Sequence, residues 1–284
     1  IAVLTELYHR AMQHLAGDSA VTTAAEQFTA RRQVVSAALG ACADPWFAQQ
    51  IHALPEAYLL QTQPEQVAAD LRALRAMPAG SATAVGRYMP ETRSVVYTVY
   101  TSEEVVPGIF HRLCGALTSH GLEIRAAQIN TLADKLALDR FWVVDPDYAG
   151  EPPTHRIDAI NRSLVDVLTG ASADASPTFR RMWSGNDALP ITARRARSRV
   201  QTDNTTSDRY TILDVFTHDR TGLLYAVTRA LFELGLSVWR AKIGTHLDQV
   251  VDVFYVTDTD NRKITDRARL REIHDRLVEV LVDS

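Results

Sequence analysis

The feature that most constrains the fold of this chain is an internal repeat. Residues 79–171 and 194–284 match position by position at an offset of 114, as Gly108 against Gly222 illustrates. Ala116-Leu117 answers Ala230-Leu231, and Gly121-Leu122 answers Gly235-Leu236. Ala127, Ile129, Thr131 and Asp134 answer Ala241, Ile243, Thr245 and Asp248. After a one-residue difference in the following hairpin, Asp139-x-Phe-Trp-Val answers Asp252-x-Phe-Tyr-Val. Self-similarity of this kind means one supersecondary unit used twice.

The unit reads as β-α-β-β-α. In the second copy Tyr210–Phe216 is the first strand, and Leu224, Val227, Leu231 and Leu234 recur at helical spacing to form the buried face of the helix. Gly235 supplies the left-handed position that ends this helix. Ser237–Thr245 and Val250–Thr257 form a hairpin, and Ile273, Leu277 and Leu281 mark the last helix. Strands in one layer and helices in the other give an α+β, ferredoxin-like sandwich. Its usual fourth strand is missing, so an added leading strand is expected in its place, Ala82–Tyr88 in the first copy and Arg197–Asp203 in the second. Each module has only ~70–90 residues, a size at which a lone core is marginal, so the two are expected to pair through sheets or helices, within or between chains.

Residues 1–78 have a different character. Leu4, Leu7, Tyr8, Met12 and Leu15 recur at helical spacing. Thr23-Ala-Ala-Glu26 has the form of a capping box, opening a helix that presents Phe28, Val35 and Leu39. Asp44-Pro45 and Thr62-Gln-Pro-Glu65 open further helices. The division expected is a helical segment (1–78), module one (79–171), a small-residue-rich connector (172–193) and module two (194–284). The start lacks a signal peptide and an initiator Met, which reads as a piece of a longer chain. The two cysteines, Cys42 and Cys114, have no metal-ligand spacing, and a reduced cytoplasmic protein is the simple expectation. A net charge of −4 gives no global pull toward nucleic acid or an anionic membrane, and no apolar run approaches the ~20 residues of a membrane span. Arg194, Arg195, Arg197 and Arg199 cluster beside the connector, but no aromatics interleave with them as a nucleic-acid platform requires.

Residue patterns that carry catalysis are poorly represented. His218-Asp219 and His274-Asp275 lack the further His and Asp ligands a metal site needs. Asp145-Pro-Asp147 and Asp258-Thr-Asp260 have the spacing of a metal-holding carboxylate pair but no Gly-Ser phosphate turn upstream. Both fall just after the hairpin, where a solvated turn explains them. Cys114 reads as a structural thiol on a helix. No catalytic or metal-ligating residue is therefore assigned, and no cofactor is expected in this chain.

One turn stands out. Asp219-Arg220-Thr221-Gly222-Leu223-Leu224 joins the first strand of module two to its first helix. Amide groups at a helix N-terminus, with the helix dipole, suit a carboxylate, and Gly222 lets a ligand approach the backbone. Asp219 is placed to receive an ammonium group, so an amino acid offers both charges that this turn accepts. The bland alternative is that Asp219 only caps the helix. Module one has Val105 and Val106 where module two has Asp219 and Arg220, which makes ligand capture by its own turn doubtful.

The Asp219-Arg-Thr-Gly-Leu-Leu turn, with Ala230-Leu, Gly235-Leu, Ala241-Lys-Ile and Asp252-Val-Phe-Tyr-Val, resembles an ACT domain. Together with Thr202-Asp-Asn-Thr-Thr-Ser207 and Leu54-Pro-Glu-Ala-Tyr-Leu-Leu60, the chain resembles the C-terminal region of the bifunctional uridylyltransferase/uridylyl-removing enzymes that act on the nitrogen-regulatory PII protein. The resemblance implies a parent enzyme with nucleotidyltransferase and HD-type hydrolase domains, both using Mg and both outside this chain. Residues 1–78 would be the helical tail of the HD part. The ACT pair would sense glutamine and bias the parent toward removing the uridylyl group from PII, while the chain alone would be inactive. Two other readings stay open: an ACT pair used only for dimerisation or partner docking, and an ACT sensor of a different amino acid.

Overall fold

The computed structural model describes residues 24–40, 44–102, 105–170, 198–218, 220–246 and 249–283. Asp219, Asp248, Cys42, Thr23 and most of the basic cluster at 194–197 lie outside them, as do the helical pattern at 4–15 and the connector. The chain divides into two compact units, residues 1–69 and 70–284.

In the first unit α1 (Ala24–Leu39), α2 (Pro45–Ala53) and α3 (Glu56–Gln61) are followed by the start of α4 (Pro64–Ala76). The Asp44-Pro45 start is realised as read. The Asp44 carboxylate accepts the Trp46 amide at 3.0 Å, and Pro45 occupies the first helical position, where its missing N–H costs nothing. Arg31 of α1 donates to the carbonyls of Leu59 and Thr62 at 3.1 and 2.8 Å, satisfying the C-terminal end of α3. Leu54, Tyr58 and Leu59 of the Leu-Pro-x-x-Tyr-Leu-Leu segment are buried, together with Val35 and Ile51.

The second unit contains both copies of the repeat as antiparallel sheets backed by helices. The first copy is β1 (Thr83–Met89), β2 (Ser94–Ser102), α5 (Ile109–Ser119), β3 (Glu123–Thr131), β4 (Leu136–Val144) and α6 (Thr154–Thr169). The second is β5 (Arg199–Asp203), β6 (Thr211–His218), α7 (Leu223–Glu233), β7 (Ser237–Lys242), β8 (Thr245–His246), β9 (Gln249–Thr257) and α8 (Arg267–Asp283). The sheet orders are β1-β2-β4-β3 and β5-β6-β9-β7, with β8 pairing β9. The leading strand thus lies on the free edge of the first repeat strand, where the missing fourth strand of a ferredoxin-like sheet would lie. Thr83 to Met89 pairs residue for residue with Tyr100 to Ser94.

The period-2 pattern decides which side of each strand meets the helices. Leu213 and Val215 of β6 and Phe254 and Val256 of β9 join Val227 and Leu231 of α7 and Ile273, Leu277 and Leu281 of α8 in the core. Leu224 and Leu234 are only partly buried, and Leu223 and Ala230 complete the inner face of α7 instead. Gly235 has a φ of 65° and ends α7 as expected.

The two copies share one hydrophobic cluster. The inner edge strands β3 and β7 come together, and α5 packs on α7. Across that helix pair, residues equivalent by the repeat meet each other. The Cys114 thiol pairs with the Thr228 hydroxyl, and the His111 ring lies 6.1 Å from that of Tyr225. The modules are therefore related by a pseudo-twofold axis between α5 and α7. This pairing covers the β3 and β7 edges that would otherwise stand open.

Candidate functional site

At the β6–α7 turn, Gly222 has φ 81° and ψ 0° and forms the N-cap of α7 without a side-chain hydrogen bond. The left-handed conformation explains the glycine. The Leu223 amide donates to the Arg220 carbonyl at 3.1 Å, so it is already engaged within the turn. Leu223 is buried, while Thr221, Gly222 and Leu224 are partly buried. The Arg220 guanidinium is engaged with the end of α8. It donates to the carbonyls of Leu281 and Val280, both at 2.8 Å, and so satisfies the C-terminal turn of α8. Asp219, the carboxylate expected to receive an ammonium group, lies outside the described residues.

The module-one turn, which sequence reading disfavoured, borders a cavity. A cavity of about 250 Å³ opens at the module-one turn, bounded by Val106 to His111, the ends of β3 and β4, and Thr228, Phe232 and the start of β7 from module two. Gly108, the αL N-cap of α5 at φ 74°, lines it. The first backbone bond of α5 is Arg112 N–H to Gly108 O at 3.3 Å. The amides of Ile109, Phe110 and His111 therefore precede the helical ladder. Val105 and Val106 do not disqualify this turn, because the polar groups come from elsewhere: Thr131 and Asp139 from the sheet, and Thr228 and Ser237 from the other module. A reading of one turn at a time cannot see groups contributed by its partner.

Asp139 is 2% exposed and sits mid-strand in β4, opposite Val99 on one side and Ile129 on the other. Its repeat equivalent Asp252 is also buried and accepts the Gly244 amide at 3.2 Å. A carboxylate on the otherwise apolar core side of a strand, present in both copies, was the signal available in the sequence. No site was read from it.

His111 is the other group that sequence reading missed. Its ring lies 4.9 Å from that of Phe232. Burial, helped by the Arg112 and Arg229 guanidiniums and opposed by Glu233, lowers its pKa to about 4, so the imidazole is neutral at physiological pH. Its Nδ1 is shielded from solvent, with no hydrogen-bond partner among the described residues. Cys114 lies deeper, and burial raises its thiol well above the usual range, which keeps it protonated and unreactive.

The remaining sequence candidates have structural explanations. His274 and Asp275 contact each other at 3.0 Å on the exposed face of α8. Asp145 accepts the Asp147 amide and the Arg156 guanidinium. Asp258 accepts the amides of Asp260 and Arg262, so both D-x-D pairs are turns. No group of three or more His, Cys, Asp or Glu able to hold a metal occurs among the described residues. Among them, too, no helix is long and apolar enough to cross a membrane.

Residues 199–284 match the family model described as ACR9-like, ACT-like domain. The bifunctional uridylyltransferase/uridylyl-removing enzyme of Gluconobacter oxydans is 36% identical over 69% of this chain and 20% of its own length. That of Rhodospirillum rubrum is 32% identical over 74% of this chain and 22% of its own length. The chain thus spans about a fifth of the length of these relatives. A crystal structure of an unknown protein from Galdieria sulphuraria aligns over 66% of this chain and 90% of its own, at 16% identity and a TM-score of 0.21. By sequence, the chain is homologous to the bacterial bifunctional uridylyltransferase/uridylyl-removing enzymes, and its C-terminal region is an ACT-like domain.

Proposed function

We propose that this chain is the regulatory, glutamine-sensing region of a PII uridylyltransferase/uridylyl-removing enzyme, controlling nitrogen signalling through catalytic domains that lie outside it. The observation that carries the reading is the intermodule cavity, which sets a helix N-terminus and a buried carboxylate around one small volume. An α-amino acid fits that pair of charges: its carboxylate on the leading amides of α5, its ammonium toward Asp139. The module-two turn, with Asp219 and the backbone of Gly222 and Leu224, is the pseudo-symmetric counterpart and is proposed as the second place of capture. In that role Arg220 acts through the backbone it holds and not through its guanidinium.

A ligand gripped by one module's turn and the other's helix and strand binds one relative setting of the modules better than another. That differential affinity is what an allosteric region has to supply. The test is a thermal-shift and calorimetric screen of the chain against the twenty amino acids. Glutamine is expected to raise the melting temperature by mass action. Asp139→Asn is expected to weaken it by roughly one to two orders of magnitude, the worth of one charge-assisted hydrogen bond. A chain that binds no amino acid, yet still pairs its modules, would leave the docking reading in its place.

A further inference from the structure

The two sheets differ on their outer faces, the sides away from the helices of the core. In module one Asp70 of α4 accepts the Tyr100 hydroxyl at 2.8 Å and pairs with Arg140, and Tyr100, Leu138 and Arg140 are 7%, 0% and 6% exposed. The repeat places Asp214, Val251 and Val253 at those three positions of module two. Val251 is 39% exposed, and Asp214 and Val253 are half-buried. The register sets Ile212 beside Tyr255, Asp214 beside Val253 and Phe216 beside Val251, all on this face. Tyr210, Trp239 and Tyr255 form an aromatic ledge at one end of it. Apolar surface of this extent is costly to leave in water. Asp214 lies amid it, with no hydrogen bond to its carboxylate among the described residues. Burial raises its pKa and the Asp203 carboxylate adds to that, while Arg199, whose guanidinium lies 5.3 Å from the Phe216 ring centre, opposes it. Module one's sheet receives an acid from its covering helix; module two's sheet presents the acid, and a cation complements it.

The chain supplies a segment of matching chemistry beside this face. The stretch 171–197, outside the described residues, leads into Ser198, whose hydroxyl meets that of Thr217 at 2.9 Å, and then into β5 on the edge of the same sheet. In module one α4 holds the same place in the chain, ahead of β1. The stretch carries Phe179, Met182 and Trp183 at i, i+3 and i+4, the spacing of one apolar helical face, with Arg180 at its flank. We propose that the outer face of module two's sheet is the docking surface for residues 179–183 of the same chain, with Phe179, Met182 and Trp183 over Val251 and Val253 and Arg180 paired with Asp214. The repeat then includes a leading cover for each sheet, with the signs of the charge pair exchanged between the two modules. Arg180 offsets the desolvation of Asp214, and the apolar side chains take Val251 and its neighbours out of water.

The test is disulfide trapping in the full chain with Cys42 replaced by Ser, Cys114 being buried. Met182→Cys is combined with Val251→Cys and, as a control, with Val85→Cys, a position 51% exposed on the outer face of module one. The Val251 pair is expected to close within one chain about tenfold faster than the control pair, because a seated segment raises the local thiol concentration. A second measurement needs no new cysteine. Chymotrypsin, which cuts after Phe179 and Trp183, should cleave the parent slowly. Arg180→Glu should speed that cleavage about tenfold, the worth of one charge-assisted hydrogen bond, and adding Asp214→Arg should slow it again. Circular dichroism checks that each variant is folded. Equal trapping rates for the two pairs overturn the proposal, as does a disulfide that forms only between chains, which would make a second copy the occupant. Cleavage that Arg180→Glu leaves unchanged, or that Asp214→Arg fails to slow in the double variant, overturns the pairing of Arg180 with Asp214.

Discussion

Replacing Asp70 tests how module one's sheet is held. Asp70 is fully buried in α4 and accepts the Tyr100 hydroxyl at 2.8 Å, while its other oxygen pairs with Arg140. Tyr100 and Arg140 project from β2 and β4 on the face of the sheet opposite α5. Burial and the adjacent carboxylate push the Tyr100 phenol above its ordinary range, so its proton stays in this hydrogen bond. Asp70→Ala leaves a guanidinium whose side chain is 8% exposed without its carboxylate. Breaking a buried pair from one side costs about 3–5 kcal/mol, because the remaining charge loses its opposite. For a unit of this size each kcal/mol lowers Tm by about 2–4 °C, so a fall of roughly 10 °C is expected. Adding Arg140→Met removes the stranded charge and should recover at least half of the loss. The assay is urea unfolding followed by circular dichroism on both variants and the parent. A loss below about 1 kcal/mol in the single variant, or a double variant no better than the single, would refute the view that Asp70 serves mainly to compensate Arg140.

Three further outcomes follow from the site. Gly108→Ala should destabilise by about 1–2 kcal/mol from its positive φ alone; its Cβ would also fall 2.2 Å from His111 Cε1 and 3.2 Å from Phe232 Cδ2, so ligand affinity should drop as well, both measurable by calorimetry. Arg220→Gln should release the Val280 and Leu281 carbonyls, and hydrogen exchange should quicken in the last turn of α8 while the α7 core stays protected. Between pH 6.5 and about 4 the folded His111 holds fewer protons than the unfolded one. Stability should therefore fall as pH drops through that window, by about 1–2 kcal/mol once partial exposure is discounted; the measurement is urea unfolding at pH 7 and pH 4.5, and His111→Phe should flatten the difference.

The sequence by itself determined the repeated unit, because each copy carries its own period-2 strands, its 3.6-period helices and a glycine at each αL position. Those are local signals, and Gly108, Gly121, Gly222 and Gly235 all have positive φ where the repeat requires it. The leading strand was also legible, since a sheet left one strand short needs cover. The N-cap at Asp44 was readable for the same local reason. What only the tertiary structure decided is how the copies face each other. Cys114 meets Thr228 and His111 meets Phe232 across more than a hundred residues of chain, and nothing in the spacing of either helix specifies its partner. The cavity is a product of that pairing. Its polar groups Thr131, Asp139, Thr228 and Ser237 lie on four separate elements of two modules, so the turn that looked empty in sequence is met by groups from its own sheet and from its neighbour. The partners of Arg220 were illegible for the same reason: the carbonyls it satisfies are sixty residues away, at the end of α8.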